Sequence, residues 1–401
     1  MNQVTAILIG AGARGQIYAR YAQEHPEELR IIAVAEPKAD RRALMCRAYG
    51  IPADRAFSNW EDLLARPQMA DAALICTLDD MHTEPTLAAL KQGYHVLLEK
   101  PMSNSETECR AIAAAAEEAQ RVLSVCHVLR YTPFYRTIKQ LIDDGQVGEV
   151  ASLSQVENVG YWRCSEQTSP MILQKSCHDM DILLWLSGQR CTRVSSFGSL
   201  HHFDAAHAPQ DAPLRCTDGC PHSVVCPYDA GKIYLTDNVG WPTDMLTTDL
   251  SREGRLKALR EGPYGRCVYH CDNDVVDRQV VNLEFDNGAV AGFTMTAFTT
   301  DMARQLKVCG TKGQITADMN ANTVSLHRFG ESGPREITLE TPPQTNNYGH
   351  GGGDYYLMRD FVRAVQSGGD GNLSSARVSL QSHLICFAAE RSRVERRIVE
   401  L

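Results

Sequence analysis

The 401 residues predict an α/β domain followed by an α+β domain. Three observations carry this fold class. The first ~125 residues alternate short apolar runs with helical patterns, as βαβ units around a parallel sheet do. A glycine-rich turn, Gly10-Ala-Gly12-Ala-Arg-Gly15, sits between the first apolar run and the first helical pattern. From residue 279 onward, close-spaced alternating runs are joined by short turns, which suits a large open antiparallel sheet.

The elements follow in order. Strands are expected over 4–9, 31–35, 72–77, 95–99 and 122–127, with helices over 15–24, 83–92 and 105–119. Ser103 or Ser105 is placed to cap the last of these helices, and Glu108 stands three residues after Ser105 in a capping-box pattern. A helix over 176–186 precedes an irregular region, 200–275, rich in Pro, Gly, Cys and Asp. Strands are then expected over 279–285, 290–297, 305–309, 314–317, 323–328 and 336–339, with Asp286-Asn287-Gly288 as a hairpin turn. Helices over 354–367 and 375–395 close the chain. The expected domains are 1–128 and 129–401, the second carrying the Cys-rich insertion, with their hinge near 127–150.

Composition narrows the function classes. Apolar residues make up 43% and charged residues 22%, which excludes collagen-like and disordered chains. A net charge of -9 gives no general attraction to nucleic acid or to anionic membranes. The N-terminus lacks the pattern of a secretory signal, and no apolar stretch approaches the ~20 residues of a membrane span. A cytoplasmic location with reduced thiols is the expectation. Cys46, Cys76, Cys126, Cys177 and Cys386 lie among apolar residues and read as small buried hydrophobes.

The glycine turn carries the first chemistry. Gly10 permits the tight turn, Gly12 lets the backbone approach a pyrophosphate, and Gly15 allows close helix–strand packing. The backbone of Ala13, Arg14 and Gly15 opens the helix toward the anion. Glu36 ends the next strand, 21 residues after Gly15, where it can accept from a ribose 2′-OH and repel a 2′-phosphate. NAD is therefore favoured over NADP, although Lys38, Arg41 and Arg42 lie just beyond. This is the fingerprint of a Rossmann dinucleotide-binding domain.

Seven segments extend the pattern: GAGARG at 10–15, TLDDMH at 77–82, GYHVLLEKP at 93–101, LRYTPFY at 129–135, GQVGEV at 145–150, SCHDMDILLWLSG at 176–188 and GTKG at 310–313. With these, nearly the whole chain resembles the glucose–fructose oxidoreductase/inositol dehydrogenase (Gfo/Idh/MocA) family. The resemblance implies that Lys100, at a strand's C-terminal end, contacts substrate and takes part in proton transfer. It implies that His178 accepts the hydroxyl proton while hydride leaves for the nicotinamide. The family often has an aspartate four residues before this histidine; here Gln174 stands there, followed by Lys175. Lys175 is then a candidate second cation at the sugar, and Asp181 a candidate support for His178. Thr77, His82, Glu99 and Lys100 are expected at the cofactor's edge. His127, Arg130, Tyr131, Tyr161 and Asp181 are expected at the substrate, with Arg163 and His350 as further candidates. The resemblance also implies a homodimer or homotetramer formed through the C-terminal sheet.

Cys216, Cys220 and Cys226, with His222 between them, fall within eleven residues. Thiolates at short spacing in a Gly- and Pro-rich loop suit structural Zn²⁺ with an unassigned fourth ligand, and Cys164, Cys267 and Cys271 are within reach of such a loop. A [4Fe–4S] cluster fits the ferredoxin spacings less well. Free thiols are the competing reading.

Three functions compete. The first is an NAD(P)-dependent oxidoreductase acting on a secondary hydroxyl of a sugar, cyclitol or sugar derivative. The second is redox-neutral cleavage of a glycoside through transient oxidation and elimination. The third, a non-enzymatic NAD or sugar sensor, is opposed by the presence of both Lys100 and His178.

Overall fold

A computed structural model describes residues 2–158, 169–240, 242–299, 303–339 and 348–401. The chain divides into two compact units: residues 1–160, 166–197 and 279–401 form one, and residues 161–165 and 198–278 the other.

The first unit holds both sheets. Strands β1 (Val4–Ile9), β2 (Leu29–Ala35), β3 (Ala56–Phe57), β4 (Ala72–Ile75), β5 (His95–Leu98) and β6 (Leu123–Val125) form a sheet in the order β3-β2-β1-β4-β5-β6, all pairs parallel. This is the doubly wound order, in which ligands bind beyond the strand ends where the order reverses. The two-residue period splits the apolar side chains between two cores. Val4, Ala6, Leu8, Ala72 and Leu74 face one cluster, while Ile7, Ile9, Ala73 and Ile75 face the other. Helices α1 (Ala13–Glu24), α2 (Ala39–Tyr49), α3 (Trp60–Leu64), α4 (Thr83–Lys91) and α5 (Glu106–Ala119) connect these strands.

Ser105 caps α5 by accepting from Glu108 N. The reciprocal half of the expected capping box is absent, because Glu108 instead accepts from the Thr83 hydroxyl (2.8 Å) and from Ser103.

Helix α6 (Pro133–Asp143) leads to β7 (Val150–Asn158), and two helices, α7 (Met171–Gln174) and α8 (Cys177–Ser187), lead to β8 (Cys191–Ser199). Then follow β9 (Arg278–Phe285), β10 (Val290–Thr296), β11 (Arg304–Gly310), β12 (Gly313–Asp318), β13 (Thr323–Arg328) and β14 (Arg335–Ile337); β15 (Val399–Glu400) closes the chain. These nine strands are ordered β14-β13-β12-β11-β7-β10-β9-β8-β15. The expected antiparallel sheet is in fact mixed, because β10 enters beside β7 in parallel. The hairpin at Asp286-Asn287-Gly288 forms, with Gly288 at φ +85° and Phe285 N bonded to Ala289 O (2.9 Å).

Two helices from the end of the chain return to the first sheet's cores. In α11 (Gly353–Ser367), Tyr355, Leu357, Met358, Phe361 and Val362 join Leu8 and Tyr18 in one cluster. In α12 (Ala376–Glu395), Ala376 joins the other.

The second unit is built on its own from two short helices, α9 (Ala230–Tyr234) and α10 (Arg252–Glu261), and a two-stranded bridge at Arg215 and Arg266. His202, Phe203, Tyr228 and Tyr269 stack in its interior. No helix among the described residues is long and apolar enough to cross a membrane.

Candidate active site

The glycine turn is shaped as its chemistry requires. Gly10 has φ +89°, and a Cβ there would lie 2.5 Å from Cys76 O. A Cβ on Gly15 would lie 2.1 Å from Gly10 O, so both positions exclude a side chain. At Gly12 a Cβ would meet only Arg41 Nη1, at 3.8 Å. Gly12 is also the N-cap of α1 and gives it no side-chain cap, which leaves the first-turn amides to an anion. Glu36 is buried and accepts from Ala11 N (2.7 Å) and Lys38 N (2.9 Å), which fixes a carboxylate beside the turn. Arg42 reaches back to the carbonyls of Glu36 and Pro37. These features fit a dinucleotide's pyrophosphate and ribose.

Arg14 and Glu99, expected at the cofactor, turn their side chains inward. Arg14 bonds Glu99 (2.6 Å), Tyr18 and Asp354. Glu99 also accepts from Tyr18 (2.7 Å) and from Lys100 N (2.7 Å). Burial works to raise the Glu99 carboxyl, but Arg14 and Lys100 together hold it below its ordinary value. Asp354 is held low in the same way, against burial, by Arg14 and His350. His82 likewise points inward, with its ring nitrogens near Pro101 O (2.7 Å) and Thr77 O (3.3 Å), so it braces the loop. Thr77 Oγ1 donates to Met81 O (3.1 Å) in that same loop.

At the end of β5, Lys100 emerges and donates to the Gln174 carbonyl. His178, in the first turn of α8, is buried, and its Nδ1 has no hydrogen-bond partner among the described residues. Burial, then Lys100, His127 and His350, hold its pKa well below the ordinary histidine value. Its ring lies 5.7 Å from that of His127 and 5.9 Å from that of His350. His350, at φ +53°, is oriented by Asp354 (3.1 Å). Lys100, His178, His127 and His350 thus converge.

The aspartates of the His-Asp-Met-Asp run anchor α8 on two sides. Asp181 accepts from Arg130 at both oxygens (2.6 and 2.7 Å). Both its oxygens are thus paired with Arg130, and it lies 3.9 Å from His127 Nδ1, while among the described residues it makes no hydrogen bond to His178 Nδ1. Asp179 accepts from Arg304 (2.8 and 3.1 Å), and Arg304 also pairs with Glu157. Lys175 lies 3.9 Å from Glu157 with its side chain 19% exposed. Burial lowers the Lys175 pKa and raises that of Glu157. Tyr131 is buried with its hydroxyl on Ser374 (2.9 Å). Tyr161 and Arg163 lie outside the described residues.

Sequence reasoning assigned no role to Asp79. It accepts from Ser169 (3.2 Å), which sits at φ +65°. Burial pushes its carboxyl up to about 6, with Lys100 and the Ser169 hydrogen bond opposing. Its place just after β4, in the turn before His82, was the available signal.

The fold and site together define a nicotinamide-binding oxidoreductase. The chain's residues 4–127 match the family described as "Oxidoreductase family, NAD-binding Rossmann fold", and residues 139–401 match its "C-terminal alpha/beta domain". The chain belongs to the Gfo/Idh/MocA family of NAD(P)-dependent oxidoreductases acting on alcohol groups. It is 25% identical over 334 residues to YteT of Bacillus subtilis (strain 168), itself named only provisionally as an oxidoreductase, covering 75% of this chain and 74% of that protein. It is 28% identical over 188 residues to an inositol 2-dehydrogenase of Corynebacterium glutamicum, covering 47% of this chain and 55% of that enzyme. The chain thus spans only about half the length of that relative. A levoglucosan dehydrogenase solved with NADH superposes with a TM-score of 0.73 at 18% identity, over 99% of each chain.

Proposed function

We propose that this chain oxidises or reduces a secondary hydroxyl of a sugar, a cyclitol or a sugar derivative, with NAD preferred over NADP. The observation that carries the reading is the buried His178 imidazole, held neutral and with an unpartnered Nδ1, among Lys100, His127 and His350. A neutral imidazole can take a hydroxyl proton. The Lys100 ammonium, fixed by the Gln174 carbonyl, stabilises the charge left on that oxygen. Ala13, Arg14 and Gly15 offer backbone amides to the pyrophosphate, and Glu36 offers its carboxylate to the ribose. Bound NAD⁺ supplies the hydride acceptor. Several donors gathered at one place suit a polyhydroxylated ligand, and the inositol and levoglucosan dehydrogenases named above have substrates of that kind.

Asp79 favours a second reading. A carboxyl pushed up to about 6 beside Lys100 can protonate a leaving group, as redox-neutral glycoside cleavage requires. One experiment separates the two. Purified protein is incubated with NAD⁺ and a panel of sugars, cyclitols and glycosides, while NADH absorbance and products by mass spectrometry are followed. NADH rising in step with an oxidised product is the expected result. Glycoside cleavage without NADH, lost in Asp79→Asn and His178→Asn, overturns it in favour of the second reading. NADH binding with no turnover across the panel overturns both in favour of a sensor.

A further inference from the structure

The unit formed mainly by 198–278 has little regular structure, and its described cysteines form no disulfide. A unit this small usually needs a staple. Four of its cysteines line one cavity of about 20 Å³: Cys216, Cys220, Cys226 and Cys267. The backbone brings them there. Cys216 N donates to Gly265 O (3.0 Å) and Cys267 N to Leu214 O (2.8 Å), so these two cysteines sit on paired segments. The turn after Cys220 doubles back through Ser223 N to Cys220 O (3.3 Å) and Cys226 N to His222 O (2.8 Å).

Other potential ligands are spoken for. Cys271 gives its thiol to Cys267 O (3.2 Å) and does not line the cavity. His222 and Asp229 also line the cavity, but His222 Nε2 lies 2.6 Å from Gln210 O and Asp229 caps α9 through Gly231 N and Lys232 N. The Lys232 ammonium rests on the carbonyls of Val224 (2.6 Å) and Cys226 (2.9 Å).

We propose that Cys216, Cys220, Cys226 and Cys267 hold one metal centre through four thiolates, which braces this unit. The chemistry is shared by an iron–sulfur cluster and a single Zn²⁺. Around one zinc the sulfurs lie about 3.8 Å apart, from the Zn–S bond length and tetrahedral geometry. Among the described residues, the ligand trio closing within 4.8 Å is the partly exposed His25, Glu27 and Glu28, and no three of these sulfurs do so. Zinc would therefore have to draw the sulfurs inward, whereas the corner ligands of a cluster stand farther apart than those of one ion.

The test measures iron, acid-labile sulfide and zinc on full-length protein purified without oxygen. A parallel sample is reconstituted with ferrous iron and sulfide, or with zinc. Iron with matching sulfide and visible charge-transfer absorption is the expected result. Stoichiometric zinc without iron keeps the four ligands and overturns the cluster. Neither metal, before or after reconstitution, overturns the site. Cys267→Ser is expected to lower metal content at least tenfold, and Cys271→Ser to leave it unchanged; the reverse overturns the assignment of the fourth ligand. NADH binding by each variant reports whether the other unit remains folded. Limited proteolysis of the chelated wild type provides a reading without substitution: faster cleavage confined to 198–278 is expected, and an unchanged pattern overturns the bracing role.

Discussion

His178 concentrates the chemistry of this chain at one residue. Its neutral state follows from burial and from the cations around it, and among the described residues its Nδ1 has no hydrogen-bond partner. His178→Asn keeps a polar group of similar size but removes the base. Its turnover number is expected to fall by roughly 10²- to 10⁴-fold, the usual contribution of a general base, while NADH affinity stays within about threefold. Steady-state kinetics and a fluorescence titration of NADH check both halves. The neighbouring histidines carry a stability prediction. His127 is held down at about 4 and His383 at about 3, in each case first by burial. An unfolded histidine titrates near 6.5, so the unfolded state binds more protons between the two values. Their contribution is present above about pH 6.5 and is lost as pH falls toward the folded values, by about 3 kcal/mol for His127. Thermal melts from pH 7 to pH 4 are expected to show a steep loss, shallower in His127→Gln.

At the scale of elements, the glycine turn separates packing from binding. Gly15→Ala drives a Cβ into the Gly10 carbonyl at 2.1 Å, so both stability and NADH binding are expected to suffer. Gly12 has φ -68°, which any residue adopts, and open space around it. Gly12→Ala is therefore expected to melt within a few degrees of wild type yet bind NADH at least tenfold more weakly. Calorimetry and titration on the two variants decide it; equal losses in both would show that Gly12 also serves packing. This turn was legible in the sequence because strand, glycines and acid have fixed spacing. Lys100 and His178 stand out through the EKP and HDMD runs, and the structure places them near enough to act on one another. The partners of Arg14, Arg130 and Asp181 were not, because each pairs with a residue distant in sequence: Arg14 with Glu99 and Asp354, Arg130 with Asp181. A charge near a motif reads as ligand-facing when it is one half of a buried pair. The parallel entry of β10 beside β7 was hidden for the same reason: alternation reports which face a strand buries, but not its direction.

For the whole molecule, the nine-stranded sheet leaves one face to explain. Val281, Leu283, Phe285, Ala291, Phe293 and Met295 are buried on its inner side. The alternate positions include Phe197 at 70% exposure, Val290 at 49% and Val280 at 40%, with Ile398 beside them at 56%. Arg193, Asn282, Glu284 and Val290 line a shallow groove on this face. Exposed apolar residues rimmed by polar ones mark an interface, and a two-fold pair buries the same face on both copies. A second copy of this chain, joined through that face, is the expected occupant. A stable pair would bury about 1,200–2,000 Å² in total. Light scattering on a sizing column is expected to give at least twice the 44.4 kDa of one chain. Val280→Arg with Val290→Glu places charges on the face without touching the inner core, and is expected to give a monomer that still binds NADH. A wild-type monomer at micromolar concentration would remove the face from consideration as an interface; a mutant that stays oligomeric would move the contact elsewhere on the chain.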